Sequence, residues 1–361
     1  QKLTEFYVFL SLGGALGGVF VVLLAPVIFD AIYEYPIAIA VALLALQPDA
    51  ESPGFIARIR SSRYAVRGVL GLCLVLAAVA GVQVASSDFI HSTADSIRLL
   101  AAVTGLIAYV LLARPRHYAL VISALLLAGV VVRPEGTVLQ DRSFFGVLRV
   151  QQIGTETTMV HGTTIHGSQR VEIADIAQGY YHPSGPAGAT ISALQEPGAG
   201  MSIGLVGLGV GALAAAGREG DELTFYEIDP GVVKAAADPL FFSYLSDSDA
   251  TISVVLGDGR LRLSALNPDH DLLVIDAFSG DAIPVHLVTR EAFTVYRQVT
   301  GDGPILLHVS NRHLNLPPVV AATAKAAGLQ AWLWEYDPEP EDLANGAAPS
   351  RWTLLMPVGS K

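Results

Sequence analysis

Four acidic residues, Glu227, Asp258, Asp276 and Asp281, each stand at or just past the end of an apolar run. The first of them follows a glycine turn by about 20 positions. That turn, Gly207-Leu208-Gly209-Val210-Gly211, closes a run beginning at Met201, and the next run ends in Tyr226-Glu227-Ile228-Asp229. Glycines at such a turn let backbone N–H groups approach a ligand, and an acid at the end of the following strand takes ribose hydroxyls. A nucleoside-type site is expected, with Gly207, Gly209, Gly211 and Glu227 facing the ligand.

Positioning these residues requires a regular alternation of elements. From Met201 the pattern predicts a strand to Gly207, an Ala-rich helix and a strand to Ile228. A helix over 231–242, a strand over 251–256, the Gly257-Asp258-Gly259-Arg260 turn and a strand over 271–276 follow. A long loop, a helix over 288–299, a strand over 304–309, a helix over 317–328 and strands over 330–335 and 351–357 complete the chain. Alternating strands and helices predict a doubly wound parallel sheet whose ligands bind at the carboxyl ends of the strands. Upstream, 142–152 and 157–171 each read as one strand with a turn near Gly154, a small β-hairpin region. The Gly179–Pro186 stretch, with Tyr180, Tyr181 and His182, reads as a loop. His161, His166 and His182 lie near one another in sequence, but without paired helical spacing or a carboxylate partner no metal is expected. His308, Asn311 and His313 fall on the same rim as the acids.

The remainder of the chain has a different character. The 361 residues have a mean hydropathy of +0.49 and are only 15% charged, too apolar for an ordinary soluble protein. Residues 1–133 carry 9 basic and 7 acidic side chains, and residues 134–361 carry 13 and 26. This predicts a membrane helical bundle over 1–133, a hairpin region over 134–196 and a Rossmann-like domain over 197–361. The acidity of the second half disfavours nucleic acid and is compatible with a cationic substrate. Phe6–Phe29 is long enough to span a bilayer, and Gly13-Gly14-Ala15-Leu16-Gly17-Gly18 would let a second helix backbone approach closely, including that of a second copy. Pro26 is expected to kink this helix. A shorter apolar run covers 36–46, and further spans are expected near 68–85, 99–113 and 118–132. The basic stretches 47–67 and 114–117 would lie in the cytoplasm, which places the soluble domain outside it. Supply of a cytosolic cofactor argues for the opposite side. The lone Cys73 excludes a disulfide within the chain, and the start at Gln1 suggests a processed or partial chain.

The hairpin with its Gly/Gln motif, the Tyr-rich loop, the G-x-G-x-G unit, E-I-D, G-D-G and an Asp-rich loop come in an order that resembles the spermidine synthase (aminopropyltransferase) family. That family is a branch of the class I methyltransferase fold. The SLGGALGG, AP and EYP segments are similar to bacterial membrane-anchored, transporter-fused members, which implies an integral protein of the inner membrane, with a possible homodimer. The resemblance implies that Gly207, Gly209 and Gly211 face the nucleoside, that Glu227 bonds the ribose and that Asp258 accepts from the adenine amino group. It also implies that Gln169, Tyr180 and Tyr181 line the amine pocket, and that Asp281, with Asp276 as partner, orients the attacking amine and takes its proton. The donor would be decarboxylated S-adenosylmethionine and the acceptor a small amine.

Two departures bear on these expectations. The family's glycine loop carries an Asp for the donor's ammonium, and Val210 stands at that position. FSGDAIP replaces the family's S-T-D-P-x-G-P type of loop. Methyl transfer from S-adenosylmethionine, or non-catalytic binding of a polyamine or nucleoside, are the alternatives that the chain's own residues leave open.

Overall fold

A computed structural model describes residues 2–45, 134–162, 164–278, 283–311 and 314–359. The three later expected spans, the basic loops between them, Cys73, Asp281 and His313 lie outside these residues. The chain divides into two compact units, Gln1–Val21 with Ile32–Arg133, and Val22–Ala31 with Pro134–Lys361.

The N-terminal region contains α1 (Leu3–Val19), a π-turn at Phe20–Leu24, α2 (Ala25–Ile28) and α3 (Glu34–Ala45). Leu3–Ile28 together makes 26 residues of mean hydropathy 2.4, long and apolar enough to cross a membrane by length and composition. Pro26 lies just after the π-turn. Widening the helix there accommodates a residue that has no N–H and whose ring crowds the preceding turn.

In the second unit two sheets form. The hairpin region is a four-stranded antiparallel meander of β1 (Thr137–Ser143), β2 (Gly146–Ile153), β3 (Glu156–His161) and β4 (Thr164–Arg170). Each of the two expected strands is therefore broken in half. The breaks fall at Phe144-Phe145, ahead of Gly146, and at Gly162, where φ values of +139° and +62° suit glycine. Apolar continuity through Phe144 and Phe145 hid the first turn.

The larger sheet has seven strands: β5 (Ser202–Val206), β6 (Glu222–Glu227), β7 (Thr251–Leu256), β8 (Leu272–Ile275), β9 (Ile305–His308), β10 (Leu329–Tyr336) and β11 (Ser350–Pro357). Their order is β10-β11-β9-β8-β5-β6-β7, so the chain reverses direction between β5 and β8, the crevice position for a ligand in an open α/β sheet. The sheet is mixed, not wholly parallel: β11 inserts antiparallel to both β9 and β10. Between β10 and β11 runs only the short helix Pro340–Ala344, and an antiparallel return needs no crossover helix. The Ala-rich segment after the glycine turn is a short 3₁₀ stretch, Ala212–Ala216, ended by Gly217. The helix expected over 231–242 stops at Ala236, ahead of Pro239. Pro186–Leu194 adds a helix that begins at its own proline.

Strand alternation sends Ile203, Leu205, Leu272 and Val274 into one core and Val206, Leu273 and Ile275 into another, one on each face of the sheet. The hairpin sheet closes over the first core with Leu148, Val150 and Met159. Entry into β5 is fixed by Asp221, which is 1% exposed. It accepts from Gln195 Nε2 at 2.7 Å, Met201 N at 2.9 Å and Arg218 N at 3.0 Å. Asp221→Ala would leave three donors without their acceptor and should lower the unfolding free energy by about 3 kcal/mol, read from urea denaturation.

Candidate active site

The carboxyl ends of β5, β6, β7 and β8 meet the underside of the hairpin sheet around two cavities. The first, about 540 Å³, is walled by Gly207–Gly209, Glu227, Asp258 and Asp276, with Phe145 and His161 on the hairpin side. The second, about 530 Å³, is lined by Tyr180, Tyr181, His308, Glu335, Asp337 and Arg351, among others. Four residues border both cavities: His166, Gly209, Asp276 and Phe278.

The glycine turn lies close against its neighbours. A Cβ on Gly207 (φ +103°) would approach the Asp276 carbonyl oxygen to 2.2 Å, and one on Gly209 (φ +55°) the His166 carbonyl oxygen to 2.6 Å. Gly211 (φ +80°) opens the 3₁₀ stretch against Leu245 and is absent from both cavity walls. Val210 is wholly buried, and its Cγ2 would lie 2.6 Å from a Cβ on Gly167, whose bare backbone it packs against.

Glu227, 8% exposed, ends β6 with Oε2 accepting from Leu208 N at 3.0 Å and Oε1 from Asp229 N at 2.8 Å. Burial raises its carboxyl, and these backbone donors oppose the rise. Each oxygen retains a lone pair for a ligand hydroxyl. Asp258 caps the helix Gly259–Leu266, accepting from Leu261 N at 2.9 Å, and its other oxygen lies 2.9 Å from His286 Nε2. Both Asp258 and His286 border the first cavity, so a histidine unforeseen in the sequence shares the place assigned to adenine.

The Asp276 side chain is enclosed by partners. His308 Nδ1 donates to its Oδ1 at 2.7 Å, and the Tyr181 hydroxyl donates to Oδ2. Burial alone would raise this carboxyl, but the neighbouring His308 with its hydrogen bond, and then the Tyr181 bond, hold it below its ordinary value. Tyr181 is pushed well up by burial and then by the Asp276 charge, and Tyr180 likewise, so both remain neutral phenols. His308 is held from several sides. Its Nε2 lies 2.8 Å from Ser310 Oγ, its ring stacks with Tyr180 (4.4 Å) and with Trp352 (4.6 Å), and Phe278 meets it edge-on at 5.1 Å.

Gln169 does not reach either cavity. Its Nε2 donates to the Ala174 carbonyl at 2.8 Å and to Ser243 Oγ at 3.1 Å, while its Oε1 accepts from Ser243 N at 2.8 Å. It ties the hairpin sheet to the segment after the helix Pro230–Ala236, and the second cavity is walled without it. A second tie runs from Ser143 Oγ to Asp229 Oδ2 at 2.7 Å. Asn311 borders the second cavity as expected of the rim, and Asp281 lies outside the described residues.

No protein-family model matches this chain. It is similar to a polyamine aminopropyltransferase of Vibrio vulnificus, with 33% identity over 109 residues, covering 28% of this chain and 35% of the relative. A probable polyamine aminopropyl transferase of Bifidobacterium longum is 24% identical over 172 residues, covering 46% and 36%. The chain thus spans about a third of the length of the curated relatives it matches. Among solved structures, spermidine synthase from Thermotoga maritima superposes with a TM-score of 0.45 at 14% identity, covering 62% of this chain and 74% of that one.

His308→Ala would leave the buried Asp276 carboxylate short of a partner, and its carboxyl should titrate upward, as followed by carboxyl NMR. A carboxyl depressed in the folded state stabilises above its unfolded value, and that stability is lost as pH falls through the folded one. The variant should therefore lose about 3 kcal/mol near pH 7, measured by denaturation, with the deficit disappearing in acid.

Proposed function

We propose that the C-terminal unit is a transferase that moves an aminopropyl group from decarboxylated S-adenosylmethionine to a small amine. The observation that carries this reading is the pair of cavities joined at one ionised carboxylate. The first has what an adenosyl group needs: a glycine turn, the Glu227 carboxylate for ribose hydroxyls and an acid beside the next strand end. The second offers Asp276 and Asp337 to a cationic amine, beside a Glu335 that is paired with Arg351 at 2.8 Å. The local similarity to aminopropyltransferases points the same way.

In the reaction the amine's lone pair attacks the carbon attached to the sulfonium sulfur. The C–S electrons pass to sulfur, which becomes a neutral thioether, and the nitrogen becomes a secondary ammonium that then sheds a proton. Asp276, on the wall common to both cavities, attracts the ammonium and stabilises the positive charge that forms on nitrogen. Asp281, a few positions further along the sequence, is the second carboxylate in this reading and takes the proton. The chain acts at a membrane, held by the helical segment Leu3–Ile28.

A second reading, methyl transfer from S-adenosylmethionine, is favoured by one observation. Val210 is buried where an acid would grip the aminopropyl ammonium.

Calorimetry with the full chain in detergent separates the two. Under the first reading decarboxylated S-adenosylmethionine binds most tightly, and adding putrescine yields methylthioadenosine. Tighter binding of S-adenosylmethionine establishes the second reading, and binding of neither donor overturns both. Asp276→Asn should reduce kcat by about 100-fold or more in a putrescine-dependent assay while changing donor affinity little. Carbonate extraction should leave the full chain in the membrane pellet; release into the supernatant would refute the anchoring.

A further inference from the structure

The strand pairing between β3 and β4 slips by one residue: Met159 faces Gly167, yet Val160 faces Ile165. His166 is the extra residue of this β-bulge. Bulges re-aim a side chain relative to its strand, and this one sets His166 on the wall shared by the two cavities. The bulge is seated by the glycine turn. Gly167, at φ +137°, leaves room for the Val210 side chain, and the His166 carbonyl lies against Gly209. Where the glycine turn presents valine in place of an acid, the same contact delivers a histidine from the facing sheet.

Only His166 and Asp276 among the four shared-wall residues carry a titratable side chain. Each Asp276 oxygen already accepts one hydrogen bond, from His308 and from Tyr181. Neither ring nitrogen of His166 has a hydrogen-bond partner among the described residues; its ring contact is with His161, 5.5 Å between centroids.

We infer that His166 is the hydrogen-bond acceptor that orients the attacking amine at the junction of the two cavities. This rests on the transferase reading above. An imidazole nitrogen accepting one amine N–H leaves the amine's lone pair free to point along the line of the C–S bond. The proton budget of the transfer is unchanged, because His166 holds an N–H and removes nothing. The imidazole must be uncharged, since it would stand between a sulfonium and an ammonium. Burial and the neighbouring His161 lower it to about 4, against the opposing pull of Asp276 and Asp229. It is neutral at physiological pH.

The test compares wild type, His166→Ala and His166→Gln in the full chain, with decarboxylated S-adenosylmethionine and putrescine as probes. Donor affinity is read separately by calorimetry. His166→Ala should lower kcat by about 100-fold while donor Kd stays within about threefold. His166→Gln, whose amide oxygen is also an acceptor, should recover about tenfold of that loss. Wild-type kcat in His166→Ala, or a rate that falls only in step with donor affinity and melting temperature, would overturn the inference and leave the transferase reading standing. A wild-type chain that binds no donor and makes no product removes both.

Discussion

A carboxylate buried away from water is charged only if its neighbours make it so, and Asp276 is surrounded accordingly. It sits at the end of β8, in the crevice where the sheet changes direction, with an imidazole on one oxygen and a phenol on the other. Desolvation works against its charge, and the His308 and Tyr181 contacts outweigh it. Much of the surrounding structure serves these two partners. Tyr181 comes from the loop before the helix Pro186–Leu194, and His308 ends β9 within a stack of Tyr180 and Trp352. The Gly207 turn passes so near the Asp276 carbonyl that no side chain would fit. A buried, fully partnered charge of this kind leaves little freedom to the strands that hold it.

The hairpin sheet is the second constraint, because it is the roof of both cavities and is made of a separate stretch of chain. The contacts that hold it include three of different chemistry: the Gln169 amide on Ser243, the Ser143 hydroxyl on Asp229, and the Gly167 backbone under Val210. Asp229 also caps the helix Pro230–Ala236 through Gly231 N at 2.8 Å, so the residue two places after the ribose-side acid both starts a helix and anchors the roof.

What could be read in advance divides along sequence distance. The glycine turn and the strand-end positions of Glu227, Asp258 and Asp276 were legible because their signal is local: a turn, a run of apolar residues and an acid at fixed spacing. The alternation from Met201 onward was legible for the same reason. The partners of Asp276 were not, because Tyr181 lies 95 positions away and His308 lies 32 away, and only the folded sheet brings them together. Gln169 was misplaced because a motif records that a glutamine is present, not which way its amide turns. The break at Phe144-Phe145 was hidden by two aromatic side chains that look like strand, one of which closes the first cavity. His166 stood out only as a possible metal ligand, since a one-residue slip in pairing leaves no trace in composition.

The two cavities draw on different parts of the chain. Among the described residues none after Leu287 borders the first, whereas most of the second is built from the strand ends at 308–311, 335–337 and 349–351. Those segments join β9, β10 and β11 at the edge of the sheet, far in sequence from the glycine turn. Inheritance can therefore act on the two halves of the pocket separately. A lineage that kept His308, and with it the partner of Asp276, could let residues such as Glu335, Asp337 and Arg351 drift and alter which molecule is admitted to the second cavity while the wall of the first is passed on intact. Descendants of such a chain would share the first cleft and diverge in what stands opposite it.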